Sequence, residues 1–600
     1  MCGISGIVAA RPLGQGDVSL VRRLGRALRH RGPDGSGEHV AKHVALGHER
    51  LSIIDTLGGG QPLYNEDRSL VLVANGEIYN HVALQKTLVG LGHHFRTGSD
   101  CETILHAYEQ WGQDFLGHLR GMFAFALWDE RKGRLLLVRD RLGEKPLYYY
   151  HQGGQSLVFS SELRALVQSG AVPLELDPAS MDLYFHYQYV PEPRTPIKGL
   201  QKLPAGHLLC VDTTSWAVEQ KPYWNFLQAP ALEKEPIQAL AQCLEETFEI
   251  VVRSDRPIGI SLSGGLDSSA VAALARRHWS GELHAFSVGY PGRPPCDERD
   301  DARELATHLG LIFHEVELVE DSMVGMFPRL VHLRDDPIAD IAGYGYWAVS
   351  NAASQAGVPV LLSGAGGDEL FWGYPWLQEA LRKNPARQNG PPGHFSFYDC
   401  TPDFVIAAAE ARRLYGPAMT ETLESPLPSE IFQPGGDRSR PDLLCTELAW
   451  STYLLENGLA QSDRLSMANS VELRLPLMDH RVVETAVGLR KAQPDDNQPP
   501  KNRLRQALAG VLPEEVLNRP KKGFSPPVRR WHDRLFEKYG ALVADGLLVQ
   551  HGVLAPDKAA MLSLGPLPEG AVCPLSFKAL ALEMWIRGLA APVAGKEDQP

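Results

Sequence analysis

Two stretches of this chain carry residue types that could do chemistry, and they lie far apart in sequence. The first begins at Cys2, directly after Met1. Methionine before a small residue is commonly removed, leaving a cysteine with a free α-amine. Such a residue holds a nucleophile beside its own base, an amine of pKa about 7.7. The thiol attacks once deprotonated. Acyl transfer from an amide then needs an oxyanion hole and a grip on the substrate. Polar residues follow in order: Arg29-His30-Arg31-Gly32-Pro33-Asp34, His48-Glu49-Arg50, Asn75-Gly76-Glu77 after a strand, and Thr97-Gly98-Ser99-Asp100. Read singly, each is ordinary. Asn75-Gly76 is a turn, Asp100 a helix cap, Arg50 a surface charge, His30 and His48 satisfied polar residues, and a second-position cysteine an accident.

The second stretch is Ser261-Leu262-Ser263-Gly264-Gly265-Leu266-Asp267-Ser268-Ser269, placed between a strand and a helix. Glycines let backbone N–H groups approach a phosphate, and a helix N-terminus favours its negative charge. The Walker form GxxxxGK[ST] is absent from the chain. A second glycine loop follows at Ser363-Gly364-Ala365-Gly366-Gly367-Asp368-Glu369. Read without context, Asp267 is a helix N-cap and Lys501 a solvated loop lysine.

The elements that must position these residues change grammar along the chain. The first third predicts strands at Gly3–Ala9 and Ser69–Ala74 and a hairpin of Phe123–Asp129 with Arg134–Asp140. A helix is expected near Val18–Leu28. A capping-box pattern, Ser99-Asp100-Cys101-Glu102, predicts another helix start. Strands with few intervening helices suggest packed sheets with helices outside. From about Ile237 strands and helices alternate: Pro257–Leu262, helix Ser268–His278, Leu283–Val288, helix Asp301–Leu309, Leu311–Leu318 and Val358–Leu362. That alternation predicts a parallel sheet wrapped by helices, with ligands at the carboxyl ends of its strands. The segment 211–236 reads as a linker. Asn389–Gly393 and Pro494–Pro500 read as exposed loops.

Bulk properties narrow the classes. At 600 residues the chain exceeds one hydrophobic core. A net charge of -13 lacks the basic footprint of a nucleic-acid binder. The local cluster of Lys521, Lys522, Arg529 and Arg530 reads as a solvated loop. Eight cysteines without a CxxC pair argue against a thiolate zinc site and fit a reducing cytosol. No apolar run is long enough to span a bilayer. The expectation is a cytoplasmic protein with no membrane and no nucleic-acid partner.

Cys2 and the ordered motifs after it resemble the glutaminase domain of class II amidotransferases, over residues 2–210. The resemblance implies an Ntn-hydrolase-like αββα sandwich. Cys2 would attack the glutamine side-chain amide, with Asn75 and the Gly76 backbone N–H as oxyanion hole. Arg50 would hold the substrate carboxylate, and Glu77 and Asp100 its α-ammonium, with Asn75 also lining the glutamine site.

The SGGLDSS loop resembles the pyrophosphate loop of ATP pyrophosphatases. Other motifs join it: Asp463-Arg464-Leu465-Ser466-Met467-Ala468, Glu472, Arg474, Pro476 and Asp479, Lys501-Asn502-Arg503-Leu504-Arg505, and Lys522-Gly523-Phe524. Together they resemble the synthetase domain of asparagine synthetases, over residues 237–590. This implies a doubly wound parallel-sheet domain, so the whole chain is expected to combine α/β and α+β classes. Ser263, Gly264, Gly265 and Ser268 would cradle pyrophosphate. Ser261, Val288, Ser363 and Gly364 would line ATP. Asp267 and Asp368 would hold Mg²⁺, and Lys501 would neutralise charge as pyrophosphate leaves.

The implied activity is glutamine-dependent amidation of aspartate through an acyl-adenylate. The family carries an acidic residue where this chain has Ala365, and a small one where it has Trp372. The acceptor therefore stays open between aspartate and another carboxylate, and a homodimer is allowed. Two sites in one chain predict an internal passage for ammonia, lined by small and apolar side chains.

Overall fold

The computed structural model describes residues 1–153, 155–374, 377–379, 409–423, 440–522, 526–565 and 573–591. The expected loop at 389–393 lies outside them, as do Gly523 and Phe524.

The N-terminal strands are β1 Gly3–Ala9, β2 Gly35–Val40, β3 Val44–Arg50, β4 Leu63–Tyr64, β5 Leu70–Ile78, β6 Gly121–Asp129, β7 Arg134–Arg139, β8 Tyr148–Gln152, β9 Ser156–Ser160, β10 Leu200–Lys202, β11 His207–Asp212 and β12 Val218–Pro222. They form two six-stranded antiparallel sheets, ordered β10-β8-β9-β1-β3-β2 and β12-β11-β7-β6-β5-β4. Ile4, Val8, Val44 and Leu46 of the first face Val71, Val73, Ala124 and Ala126 of the second in one buried cluster. Alternate residues of β1 and β3, Ile7 and Ala45, pack outward on helix α1 (Gln15–Ala27) through Leu20, Val21 and Leu24. The outer face of the second sheet is covered by α2 (His81–Gly90) and α3 (Glu102–Trp111), through Leu84, Leu88, Ile104 and Leu105. Both faces of β1 are thus buried, which is why it reads as a continuous apolar run rather than an alternation. The layers are the expected αββα.

Three local expectations differ. Asn75-Gly76-Glu77 lies inside β5, paired with Ala124, Phe123 and Met122, and is not a turn. A Cβ on Gly76 would meet the Met122 carbonyl oxygen at 2.1 Å, so pairing requires glycine there. The capping box does not form. Glu102 instead accepts from the Arg96 and Thr97 backbone N–H groups, and Asp100 accepts from Ile78 N–H at 2.6 Å, turning toward the strand. Strands β11 and β12 carry the second sheet to Pro222, into the stretch read as linker.

The second half forms a parallel sheet of β13 Ile258–Ser261, β14 Leu283–Gly289, β15 Ile312–Glu317, β16 Val360–Leu362 and β17 Glu472–Arg474. Its order is β15-β14-β13-β16-β17, with every pairing parallel. The order reverses direction between β13 and β16, which marks the crevice where such sheets bind ligands. Strand β17 was not foreseen: three residues are too short a run to read, and its two charged residues are the buried ones.

The halves are joined by an apolar cluster in which Met1, Leu51, Met122 and Leu142 are continuous with Leu475, Leu477 and Met478. Buried ion pairs flank it: Arg31–Asp463 at 2.8 Å and Lys202–Glu456 at 2.7 Å. Charges taken out of water need such partners.

Candidate active site

Pairing of β1 with β3 sets Gly3 opposite Glu49, which brings Cys2 to the start of the Leu51 loop. Cys2 is buried, with its sulfur 3.9 Å from the Leu51 carbonyl oxygen. Its nitrogen donates to Asn75 Oδ1 at 2.9 Å. The other end of that amide, Asn75 Nδ2, is buried with no hydrogen-bond partner among the described residues. A fully buried N–H donor left unpaired is costly unless something else accepts from it. An oxyanion forming at an acyl carbon attacked by Cys2 is such an acceptor. Burial pushes the Cys2 thiol up, and the Met1 ammonium, the Leu51 backbone and Arg50 oppose that only in part. A base beside the thiol would favour the thiolate.

Arg50, Glu77 and Asp100, expected to grip the substrate, lie near this pair. Carbonyl oxygens of Ile54 and Asp55 accept from Arg50 Nη2 at 3.2 and 2.6 Å, fixing its guanidinium at the loop. Glu77 and Asp100 are both buried, and burial together with mutual repulsion raises the Glu77 carboxyl well above the usual range. Burial raises Asp100 as well. Two carboxylates pressed together without a full counter-charge form a receptor for a cation. Arg474 approaches them, with Nη2 at 3.5 Å from Glu77.

Removal of the free Nδ2 donor is expected to lower glutamine hydrolysis by roughly 10²–10³-fold in Asn75→Ala, with little change in glutamine KM. Steady-state glutaminase kinetics measure this. The raised carboxyls predict a pH effect with a definite sign. As pH falls into their raised range, Glu77 and Asp100 take up protons and stop attracting an ammonium. The kcat/KM for glutamine is expected to fall on the acid side at a higher pH than ordinary carboxylates, near 4, would impose. In Glu77→Gln that acid limb is expected to move to lower pH.

The second cluster sits at the sheet crevice. Helix α4 (Leu266–His278) starts directly after the glycines. Ser268 Oγ accepts from Ser263 N–H at 3.1 Å and lies 3.0 Å from Ser263 Oγ, curling the loop around the helix N-terminus. The second glycine loop presses onto the first. A Cβ on Gly364 would lie 2.7 Å from the Ser268 backbone nitrogen, so only glycine permits the approach. Ser261 and Val288, both half-buried, lie at the carboxyl ends of β13 and β14, and Ser363 follows β16.

Asp267 and Asp368 converge on Lys501, whose Nζ bonds Asp267 Oδ2 and lies 2.5 Å from Asp368 Oδ1. Lys501 is buried, not solvated as its sequence context suggested. Its backbone N–H donates to the Phe371 carbonyl at 2.8 Å, and its φ of 59° places it at the start of the next helix. Despite burial, the two carboxylates hold the Lys501 ammonium in its charged form. Lys501 and Lys521 likewise overcome burial to keep the Asp368 carboxyl below its ordinary value. Asp267 Oδ1 is buried with no hydrogen-bond partner among the described residues, and burial raises its carboxyl. An orphaned carboxylate oxygen opposite a second carboxylate fits a hard divalent cation such as Mg²⁺.

Sequence reasoning missed two residues here. Lys521, read as part of a solvated patch, has Nζ 2.7 Å from Asp368. Lys522 and Arg530 are likewise paired, with Asp301 at 2.7 Å and Glu320 at 2.6 Å. Glu369 is buried beneath the loop, and burial and Asp368 push its carboxyl up to about 7. Its place beside Asp368 in the motif was the available signal. Trp372 proves structural: its ring lies under Arg490 at 4.3 Å and its N–H donates to Asp495 at 3.0 Å. Asp495 is accordingly buried, inside a segment expected to be exposed.

Known proteins share this arrangement. A family described as the glutamine amidotransferase domain matches residues 1–224, and one described as asparagine synthase matches residues 239–587. Asparagine synthetase [glutamine-hydrolyzing] 1 of Bacillus subtilis (strain 168) is 32% identical over 567 residues, covering 88% of each chain. A putative asparagine synthetase [glutamine-hydrolyzing] of Mycobacterium tuberculosis (strain ATCC 25618 / H37Rv) is 33% identical over 579 residues, again 88% of each. Asparagine synthetase [glutamine-hydrolyzing] 2 of Arabidopsis thaliana is 35% identical over 394 residues, 64% of this chain and 62% of that protein.

Proposed function

The chain belongs to the glutamine-hydrolysing asparagine synthetase family, and from that premise we propose how its own residues divide the reaction. It is an ATP-dependent carbon–nitrogen ligase that takes nitrogen from glutamine and makes asparagine from aspartate. Cys2, freed of Met1, uses its α-amine as base and attacks the glutamine amide carbon. Asn75 Nδ2 and the Gly76 N–H stabilise the oxyanion. Ammonia leaves, and water releases glutamate from the thioester. Arg50 holds the substrate carboxylate, and Glu77 and Asp100 its ammonium.

In the second half the loops 261–268 and 363–364 bind ATP. Asp267 and Asp368 would hold Mg²⁺, which when bound supplies charge neutralisation on the phosphates. The aspartate side-chain carboxylate attacks the α-phosphorus, and Lys501, with Lys521 behind Asp368, offsets charge on the departing pyrophosphate. Ammonia then displaces AMP. No helix among the described residues is long and apolar enough to cross a membrane. A cytoplasmic location and a homodimer belong to this reading.

One observation carries the coupling of the two sites. Strand β17 touches both. Arg474 lies 3.5 Å from Glu77 while its carbonyl accepts from Ser363 N–H at 3.0 Å. Burial opposes the charge on Glu472, but while Met1 is present its ammonium and Arg474 hold the Glu472 carboxyl down to about 2. Ammonia would travel beside this strand along the apolar cluster of Leu51, Met122 and Met478. The test is product analysis with pure protein, Mg²⁺, ATP, glutamine and single acceptors. Equal amounts of asparagine, AMP, pyrophosphate and glutamate are expected with aspartate. AMP release with another carboxylate and none with aspartate would overturn the assignment of the acceptor.

A further inference from the structure

We propose that Glu66, His93, His106 and Glu109 form a closed binding site for one Zn²⁺ ion, which ties the loop after α2 to α3 and to the turn between β4 and β5. The four lie in the glutaminase half. Glu66 is in the turn, His93 follows α2, and His106 and Glu109 share one face of α3 at a spacing of three. One ligand atom from each lies within 4.8 Å of all the others. His106 Nδ1 is 3.3 Å from Glu109 Oε2 and 3.6 Å from Glu66 Oε1, and His93 Nδ1 is 3.8 Å from each of those oxygens. Four bonds of 2.0–2.1 Å arranged tetrahedrally have edges of about 3.4 Å. Four edges are therefore within about 0.4 Å of closure before any ion draws the ligands in.

The outer partners point the same way. Metal-bound histidines present their second nitrogen to an acceptor, and bound carboxylates are themselves hydrogen-bonded. His93 Nε2 is 3.1 Å from Gln110 Oε1. His106 Nε2 faces Glu102 Oε1 at 3.5 Å, on a side chain with no exposure, and makes no hydrogen bond among the described residues. Asn65 Nδ2 donates to Glu109 Oε1 at 2.8 Å, and His94 N–H donates to Glu66 Oε1 at 2.9 Å. Two imidazoles with two carboxylates select zinc over magnesium or calcium, which take oxygen ligands. With four protein ligands no position is left for water or substrate, so the ion is structural. It would brace the segment from His93 to Asp100, whose Arg96 and Thr97 N–H groups already bond Glu102.

The full-length protein, stripped with a chelator and kept in saturating Mg²⁺ to occupy other carboxylates, tests this by calorimetric titration with Zn²⁺ and by Co²⁺ absorption. One ion per chain is expected, with the intense visible bands of a tetrahedral Co²⁺ site and a rise in Tm of several degrees. His93→Ala and Glu109→Gln, both at partly exposed positions, are expected to lose the saturable binding and the rise while keeping the metal-free Tm. Gln110→Ala is expected to weaken affinity roughly tenfold. Absence of stoichiometric binding, a weak octahedral Co²⁺ spectrum, or unchanged binding in His93→Ala would each overturn the site and leave the cluster as a set of ion pairs.

Discussion

Replacing Cys2 with alanine is expected to abolish glutamine-dependent asparagine formation, by at least ~10⁴-fold, while ammonia-dependent formation stays within about threefold of the parent. A lost nucleophile costs nearly everything that its catalytic unit supplies, because the other members have nothing left to assist. The split follows from the architecture. Cys2 contacts Asn75 and Leu51, whereas the nucleotide loops are held by Asp267, Asp368 and Lys501 on a different sheet. Cysteine to alanine removes one sulfur at a buried position, so the fold is retained. Initial rates with glutamine and with ammonium chloride, measured on the same preparation, give the ratio directly. Equal loss with both nitrogen sources would show that the thiol supports the synthetase half instead. Protein that retains Met1 is expected to behave as Cys2→Ala does, because the nitrogen beside the thiol would then remain an amide.

Lys501→Ala is the mirror experiment. Removing this ammonium leaves Asp267 and Asp368 facing each other and leaves the departing pyrophosphate without its closest cation. Loss of a preorganised charge in a water-poor site costs roughly 10²–10³ in rate. Asp267, left without its lysine, adds to that by repelling phosphate, so a fall toward ~10³-fold in synthesis from either nitrogen source is expected. Glutamine hydrolysis by itself is expected to persist. Lys501→Arg should not rescue the rate. Lys501 is buried between two carboxylates at hydrogen-bond distance, and a forked guanidinium cannot occupy the space of a point charge. Isotope exchange of labelled pyrophosphate into ATP isolates the step. Normal exchange in Lys501→Ala would move the role of Lys501 to ammonia transfer.

Much of the fold was legible because local rules and global packing agree in it. The alternation from Pro257 onward is regular, and each expected strand appears within a few residues. Local rules failed where tertiary contact competes with them. Asn75-Gly76 has turn composition but lies inside strand β5, since only glycine clears the Met122 carbonyl. Ser99 to Glu102 has a capping-box pattern, yet Asp100 is drawn to Ile78 and Glu102 to the preceding loop. Lys521 looked like one member of a basic surface run until folding set it beside Asp368.

By itself the sequence determined the chemistry: a thiol beside a potential amine, two glycine loops at strand ends, and carboxylates and a lysine suited to phosphate. It also determined the layers, because apolar periodicity is a local property that survives in one dimension. Only the tertiary structure decided which charges are paired and which are left waiting. Burial and distance fix that, and both depend on residues hundreds of positions apart, such as Arg474 beside Glu77 and Lys501 between Asp267 and Asp368. The convergence of Glu66, His93, His106 and Glu109 belongs to the same category, since no spacing rule joins a turn, a loop and a helix until the chain has folded.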